Sequence, residues 1–213
     1  MKFSEKIADL LYPDGLTCNI CGKELTGDER EYSVCDDCAI KWDEAGSGKK
    51  YDKITVYSCF FYDGGVRKLV LDYKDSNKPH LTKYLAKYIY SLFRDYDLEV
   101  DCVAYVPSSP SAIRRRGYDG MKLVAEYFSA FSGIPVIYSL FRRDGLDQTK
   151  VSEYDRVTNV KDKFLCREGV KGKVLLLDDV VTSGATLNAC AETLKSHGAD
   201  EVLAFTFAIA SFQ

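Results

Sequence analysis

The chain reads as an α/β protein: a mainly parallel sheet with flanking helices, preceded by a small N-terminal module built on four cysteines. Three observations lead there. Apolar or β-branched runs alternate with helical patterns along most of the chain, the sequence form of a parallel sheet with crossover helices. One run, Val174-Leu175-Leu176-Leu177, is apolar without interruption, which suits a central strand covered on both faces. Two C-x2-C pairs, Cys18/Cys21 and Cys35/Cys38, are separated by thirteen residues.

Composition agrees with that architecture. A chain of 213 residues corresponds to one domain of about 150 residues plus a small module. Its 46% apolar and 29% charged residues are globular proportions, which excludes intrinsic disorder as the general state. No apolar run approaches the ~20 residues of a membrane-spanning helix. Residues 1–6 are charged, and the apolar stretch at 7–11 is too short for a signal peptide, so the chain reads as cytoplasmic, without membrane insertion. With 29 Lys/Arg against 32 Asp/Glu the net charge is −3. That balance speaks against a surface coated in cations, although it leaves room for a local basic groove.

The four-cysteine module is placed at residues 1–50. Two C-x2-C knuckles bring four thiolates to one point, the tetrahedral sulfur set that zinc prefers. Gly22 permits the tight turn after Cys21. Four protein ligands leave no open position, so such a zinc would be structural and would supply folding energy that fifty residues cannot get from a core of their own. Redox or disulfide pairs are the weaker alternative in a chain without a secretion signal, and an iron–sulfur cluster is the residual case. Seven Lys/Arg against eleven Asp/Glu in this segment suit docking onto protein better than onto nucleic-acid phosphates.

The polar break Gly46-Ser47-Gly48-Lys49-Lys50 marks the boundary, and residues 51–213 form the larger domain. Residues 54–62 predict a strand, and Asp63-Gly64-Gly65 a turn. Residues 66–73 and 81–93 predict helices, the second with an apolar face of Leu81, Leu85, Tyr88, Ile89 and Leu92; Lys83 and Lys87 fall on its solvated side. Residues 100–106 predict a strand ended by Pro107, and 121–131 a helix. Residues 174–177 predict the buried strand, 187–194 a helix and 202–209 a last strand. His197, before Gly198, reads as a helix C-terminal residue. Cys102 and Cys190 read as small buried hydrophobes.

The chemistry concentrates where the apolar strand ends. Asp178 and Asp179 follow Leu177 directly, and Val180-Val181-Thr182-Ser183-Gly184-Ala185-Thr186 leads into a helix. Small and hydroxylated residues let backbone N–H groups and hydroxyls converge on an anion, and a helix N-terminus adds its positive end. Carboxylates beside such a cup repel a bare phosphate. They suit a sugar phosphate, whose vicinal hydroxyls donate to them. Neither G-x-x-x-x-G-K-[ST] nor G-x-G-x-x-G occurs in this segment.

This run closely resembles the phosphoribosyl-pyrophosphate (PRPP) signature of the type I phosphoribosyltransferases. The resemblance implies a fold of that type. It makes Asp178 and Asp179 the catalytic, ribose-contacting pair, with Val180, Thr182, Ser183, Gly184, Ala185 and Thr186 completing the PRPP site. The four cysteines, Tyr62-Asp63-Gly64-Gly65-Val66-Arg67-Lys68-Leu69 with Lys74, and Val106-Pro107-Ser108-Ser109-Pro110 extend the likeness to the ComF family, bacterial phosphoribosyltransferase-like proteins linked to competence for DNA uptake. Arg114-Arg115-Arg116-Gly117-Tyr118-Asp119 is similar to that family's R-R-G-[FY]-N segment, and Gln148, Ser152, Arg156 and Asn159 to its Q-x-x-x-S…R-x-x-N segment. Tyr105, Ser109, Ser111, Ala112 and Asp119 depart from the family pattern and thin the positive charge there.

The resemblance implies PRPP held with magnesium, and phosphoribosyl transfer to an unidentified acceptor. Lys74, Ser108, Ser109, Arg114, Arg115 and Arg116 are the candidates for the pyrophosphate. Residues 141–159 are the candidate lid. The alternative is a catalytically silent module that binds PRPP or single-stranded DNA and acts through partners, such as a helicase-like competence protein. In that reading the basic residues 114–116, 142–143 and 156, with Tyr118, Tyr127, Tyr138 and Tyr154, would line the groove.

Overall fold

A computed structural model describes residues 16–46, 48–75, 78–142 and 163–210. The five-stranded sheet has the order β1 (Lys49–Tyr51), β2 (Ile54–Phe61), β7 (Glu201–Ile209), β6 (Lys173–Val181) and β3 (Cys102–Tyr105). The β2–β7, β7–β6 and β6–β3 pairs are parallel, and only β1 runs antiparallel. The apolar run at 174–177 therefore sits between two parallel partners, as its lack of alternation predicts.

Residues of β6 divide between the two faces. Leu175 and Leu177 pack into a core with α3 (Gly64–Asp75), α4 (Leu81–Arg94) and α6 (Gly120–Ser132). Val174 and Leu176 pack into the opposite core with α7 (Ala185–Ser196). The apolar stripes read from the sequence account for these helices: Val66, Leu69, Val70 and Tyr73 are the buried face of α3, and Leu81, Leu85 and Ile89 lie on that of α4. His197 caps α7 at its C-terminal end. Cys102 and Cys190 are buried.

Several features depart from the sequence reading. The polar break at 46–50 runs into β1, which forms a hairpin with β2. The arginine segment is helical: α5 (Pro110–Arg116) starts at a Ser109 cap whose hydroxyl accepts from the Ala112 N–H at 3.2 Å, with proline in the first turn, a favoured start. Lys87 is not free in solvent, because its ammonium pairs with Glu31 in the cysteine module. A short antiparallel ribbon, β4 (Leu140–Arg142) with β5 (Phe164–Cys166), lies outside the main sheet. Among the described residues no helix is long and apolar enough to cross a membrane.

The module contributes α1 (Glu29–Tyr32) and α2 (Asp36–Ala39). It is held to the sheet by an aromatic cluster. Trp42, the chain's single tryptophan, is 8% exposed, with its ring 4.9 Å from Phe60, 5.6 Å from Tyr88 and 6.2 Å from Phe207. The Lys68 ammonium on α3 donates to the Asn19 carbonyl at 2.8 Å. Removing a buried tryptophan side chain costs about 3–5 kcal/mol. Trp42→Ala should therefore lower the urea midpoint of the whole protein by that equivalent. A change below about 1 kcal/mol, within the range of surface substitutions, would mean that the module is not part of the common core.

Candidate functional site

The β6–α7 junction brings the predicted acidic pair and hydroxyl-rich loop together. β6 extends to Val181, so Asp178 and Asp179 lie within the strand rather than just beyond it. The loop then turns at Gly184, the N-cap of α7, whose φ is +74°. A side chain at Gly184 would overlap the Tyr51 ring, whose Cγ would lie 2.8 Å from its Cβ; Tyr51 thus backs the loop from β1. A cup of about 40 Å³ is lined by Asp178, Val180, Thr182, Ser183, Gly184, Ala185 and Thr186, with Val181 and Leu187 behind. Thr182 and Ser183 are exposed at its mouth.

The two aspartates have different environments. Lys74, at the C-terminal end of α3, reaches Asp179 Oδ1 at 2.8 Å. Burial works against the Lys74 charge, but the Asp179 carboxylate more than offsets it and holds the ammonium above its ordinary value. Among the described residues no ion pair reaches Asp178; its Oδ1 accepts from the Asp179 N–H at 2.9 Å. Burial, with the Asp179 charge beside it, pushes the Asp178 carboxyl up to about 8. The charges of Lys74 and Arg142 act in the opposite direction.

The loop after β3 is held by Asp119. The Ser108 N–H and hydroxyl both donate to the Asp119 carboxylate, at 3.4 and 2.7 Å, and Asp119 caps α6 by accepting from the Lys122 N–H. Of the three consecutive arginines, Arg114 is exposed, and Arg115 pairs with Asp75 at 3.0 Å and donates to the Lys74 carbonyl. Arg116 is buried. The structure thus separates residues that the sequence offered as equivalent.

Tyr73, Gly120, Tyr51 and Arg142 belong to this neighbourhood without having been singled out for the sugar-phosphate site. Tyr73 reads in the sequence as one more apolar position of α3; only its adjacency to Lys74 hinted at more. Arg142, at the end of β4, stacks 5.6 Å over the Phe164 ring. Gln148, Ser152, Tyr154, Arg156, Asn159 and Arg143 lie outside the described residues, as does nearly all of the candidate lid. Tyr127 and Tyr138 are exposed, but the Tyr138 hydroxyl donates to Glu126, an acidic setting for a phosphate-tracking groove.

The cysteine set also converges. One sulfur from each of Cys18, Cys21, Cys35 and Cys38 lies within 4.8 Å of all the others, with Cys21 Sγ and Cys35 Sγ 3.6 Å apart. Burial pushes the Cys38 thiol up to about 12. At Cys18 burial acts the same way, but hydrogen bonds from the backbone around Cys35, Cys21 and Ile20 outweigh it and bring the thiol down to about 6. Four sulfurs this close match the donor set of a tetrahedral ion such as zinc. A larger open groove of about 590 Å³ runs between the module and α4, lined by Glu24, Asp28, Glu29 and Asp36 among others; it is separate from the acidic pair on β6.

A four-cysteine module joined to a mainly parallel α/β domain, with an acidic pair and a hydroxyl-rich cup at one strand–helix junction, agrees with the phosphoribosyltransferase-like architecture expected from the sequence. No family model matches the chain. Among curated proteins it is 26% identical over 196 residues to Competence protein F of Haemophilus influenzae, covering 87% of this chain and 81% of that one. It is also 26% identical over 174 residues to Competence protein ComFC of Streptococcus pneumoniae, covering 81% and 73%. These relatives, with the cysteine cluster, support a ComF-type, phosphoribosyltransferase-like protein. Solved structures with similarity include the allosteric regulatory enzyme of purine biosynthesis (TM-score 0.47, 21% identity, 64% of this chain and 29% of that one). Adenine phosphoribosyltransferase from Leishmania tarentolae is another (TM-score 0.43, 13% identity, 80% and 82%).

The Asp178 environment has a measurable sign. An ordinary aspartate titrates near 3.9. Between about pH 4 and 8 the unfolded chain releases this proton while the folded chain keeps it, so the wild type loses stability as pH rises through that window. Asn at this position does not titrate. Asp178→Asn should therefore raise the melting temperature by more at pH 8 than at pH 5. A difference that stays constant between the two pH values would show that the carboxyl is not held protonated.

Proposed function

We propose that the chain binds PRPP, or a closely related sugar phosphate, at the β6–α7 junction, and that it serves DNA uptake as a ComF-type protein with phosphoribosyl transfer as its chemistry. The observation that carries this reading is the juxtaposition on one strand end of two acidic side chains and a hydroxyl-rich cup, with the Lys74 ammonium on Asp179. In this reading Asp178 and Asp179 accept hydrogen bonds from the vicinal ribose hydroxyls. Thr182, Ser183, Gly184, Ala185 and Thr186 enclose the 5′-phosphate with N–H groups and hydroxyls. Lys74 and Arg116 offset the pyrophosphate charge, which grows as the C1–O bond breaks and an acceptor nitrogen bonds to C1. The Asp179 carboxylate, Asp178 once its proton is displaced, and the loop hydroxyls are a donor set that fits magnesium, which would supply Lewis-acid neutralisation of the leaving pyrophosphate.

Domain limits at residues 1–50 and 51–213, and a structural zinc on Cys18, Cys21, Cys35 and Cys38, belong to the same reading. The zinc is supported by the convergence of the four sulfurs within 4.8 Å of one another. Metal analysis of the purified chain should give one zinc per molecule, and Cys35→Ser should lose it together with thermal stability. A metal-free chain with unchanged melting would remove zinc from the account.

The test of the site is ligand-induced stabilisation. A ligand at 100 times its Kd adds about 2.7 kcal/mol, and each kcal/mol raises the melting temperature of a chain this size by roughly 2–4 °C. PRPP with magnesium should produce that shift in the wild type and none in Asp178→Asn/Asp179→Asn. A well-folded, metal-loaded wild type with no shift would overturn the reading.

A further inference from the structure

Arg116 is buried, yet among the described residues no carboxylate lies within ion-pair distance of it. Its hydrogen bonds are long: 3.4 Å to the Ala112 carbonyl and 3.4 Å to the Ser108 hydroxyl. A guanidinium with five donors, thinly engaged and out of water, is costly to hold. What meets it inside the chain is the face of Tyr73, with Arg116 Cζ 5.7 Å from the ring centroid.

Tyr73 is itself fully buried, and among the described residues its hydroxyl has no hydrogen-bond partner. The ring edge presses on the first residue of α6. A methyl group on Gly120 would overlap the hydroxyl and lie 2.9 Å from Cζ. Burial lifts the phenol well above its ordinary value, with the Asp179 charge adding to this and the Arg116 charge opposing it. The next residue, Lys74, holds Asp179. One turn of α3 thus touches two cations: its own Lys74, paired with Asp179, and Arg116 of α5, over the Tyr73 ring.

We propose that Tyr73 is a positioning residue for the anion-binding arm of the site, its ring face holding Arg116 turned toward Ser108 so that a diphosphate group meets an already oriented guanidinium. Arg114 and Arg115 take no part. This rests on the reading that the site takes a PRPP-like ligand. A cation–π contact with a desolvated arginine is the attraction at work. The ring supplies it, and the hydroxyl does not.

The test is calorimetric titration of the full, metal-loaded chain with inorganic pyrophosphate and, separately, with ribose 5-phosphate. Tyr73→Leu should weaken pyrophosphate by about 3- to 30-fold, the range of a cation–π contact. Its ribose 5-phosphate affinity should stay within about two-fold, the span of a neutral substitution. Tyr73→Phe, which keeps the ring, should hold both ligands within about two-fold of the wild type. Gly120→Ala improves helix propensity, yet by displacing the ring it should weaken pyrophosphate alone; it carries the test if Tyr73→Leu does not fold. Equal loss of both ligands would assign Tyr73 a merely structural role, and unchanged pyrophosphate affinity would remove the arginine from its keeping; either overturns the proposal. A wild type that binds neither ligand would overturn the parent reading and this proposal with it.

Discussion

The parallel ladder that locks β6 between β3 and β7 is the constraint from which the site follows. Its register pairs Leu175 with Val103 on one side and with Leu203 on the other. Both faces of the strand are buried, so a slip of one residue would exchange Leu175 and Leu177 with Val174 and Leu176 between two differently shaped cores. The register is therefore held firmly, and the aspartates inherit it. Asp179 turns to the side of α3, where Lys74 waits. Asp178 stays on the side of α7, where its charge, together with burial, raises the Cys190 thiol. Two adjacent carboxylates with unlike neighbours are what strand alternation dictates.

α3 links the cysteine module to this strand. Its first turn lies against the module: Gly65 packs against the Trp42 indole nitrogen, with Ile20 close by. Its last turn carries Tyr73, Lys74 and Asp75 to the site. Twelve residues of helix span about 18 Å, a length over which a packed helix behaves as a stiff strut. The module therefore anchors one end of the element whose other end sets the Lys74 cation beside Asp179. The gross folding contribution of a metal in the module would reach the site through packing, with no need for a ligand shared between them.

The sequence was most informative where periodicity and chemistry coincided. The apolar run at 174–177, the paired aspartates and the loop after them could be placed without coordinates, because a strand, a turn and a helix N-terminus each have strong local signals. The cysteine spacing likewise placed four sulfurs together. What sequence could not separate was the arginine run. Arg114, Arg115 and Arg116 are chemically identical, and only the helical turn of α5 decides that one is exposed, one pairs with Asp75 and one is buried. Tyr73 ends the helix read at 66–73, and the structure buries it. That a core tyrosine also supports a buried cation is a tertiary fact, set by where α3 meets α5 and α6. The ribbon of β4 and β5 was missed because three-residue strands carry too little pattern to register.

Polar groups elsewhere in the core are well answered. The Ser58 and Thr206 hydroxyls bond each other at 2.7 Å, and the Thr82 hydroxyl donates to the Pro79 carbonyl at 2.6 Å. The contrast around β6 is marked. Among the described residues, the buried side-chain polar atoms without a partner are the Trp42 indole nitrogen and the hydroxyls of Tyr51, Tyr73 and Tyr118. Tyr51 lies on the phosphate loop, Tyr73 lies beneath Arg116, and Tyr118 follows the arginine helix. Asp178, held toward its protonated form, and Arg116, without a carboxylate, stand among them. Each of these costs stability on its own, and such costs persist where the surrounding structure forces them and a ligand repays them. Hydroxyl donors for a carboxylate pair and a polyanion for a buried guanidinium are complementary demands. On the proposed reading, one molecule carrying vicinal hydroxyls and a diphosphate would meet both, so the electrostatic faults of this fold and its hydroxyl-rich cup would be answered by the same ligand.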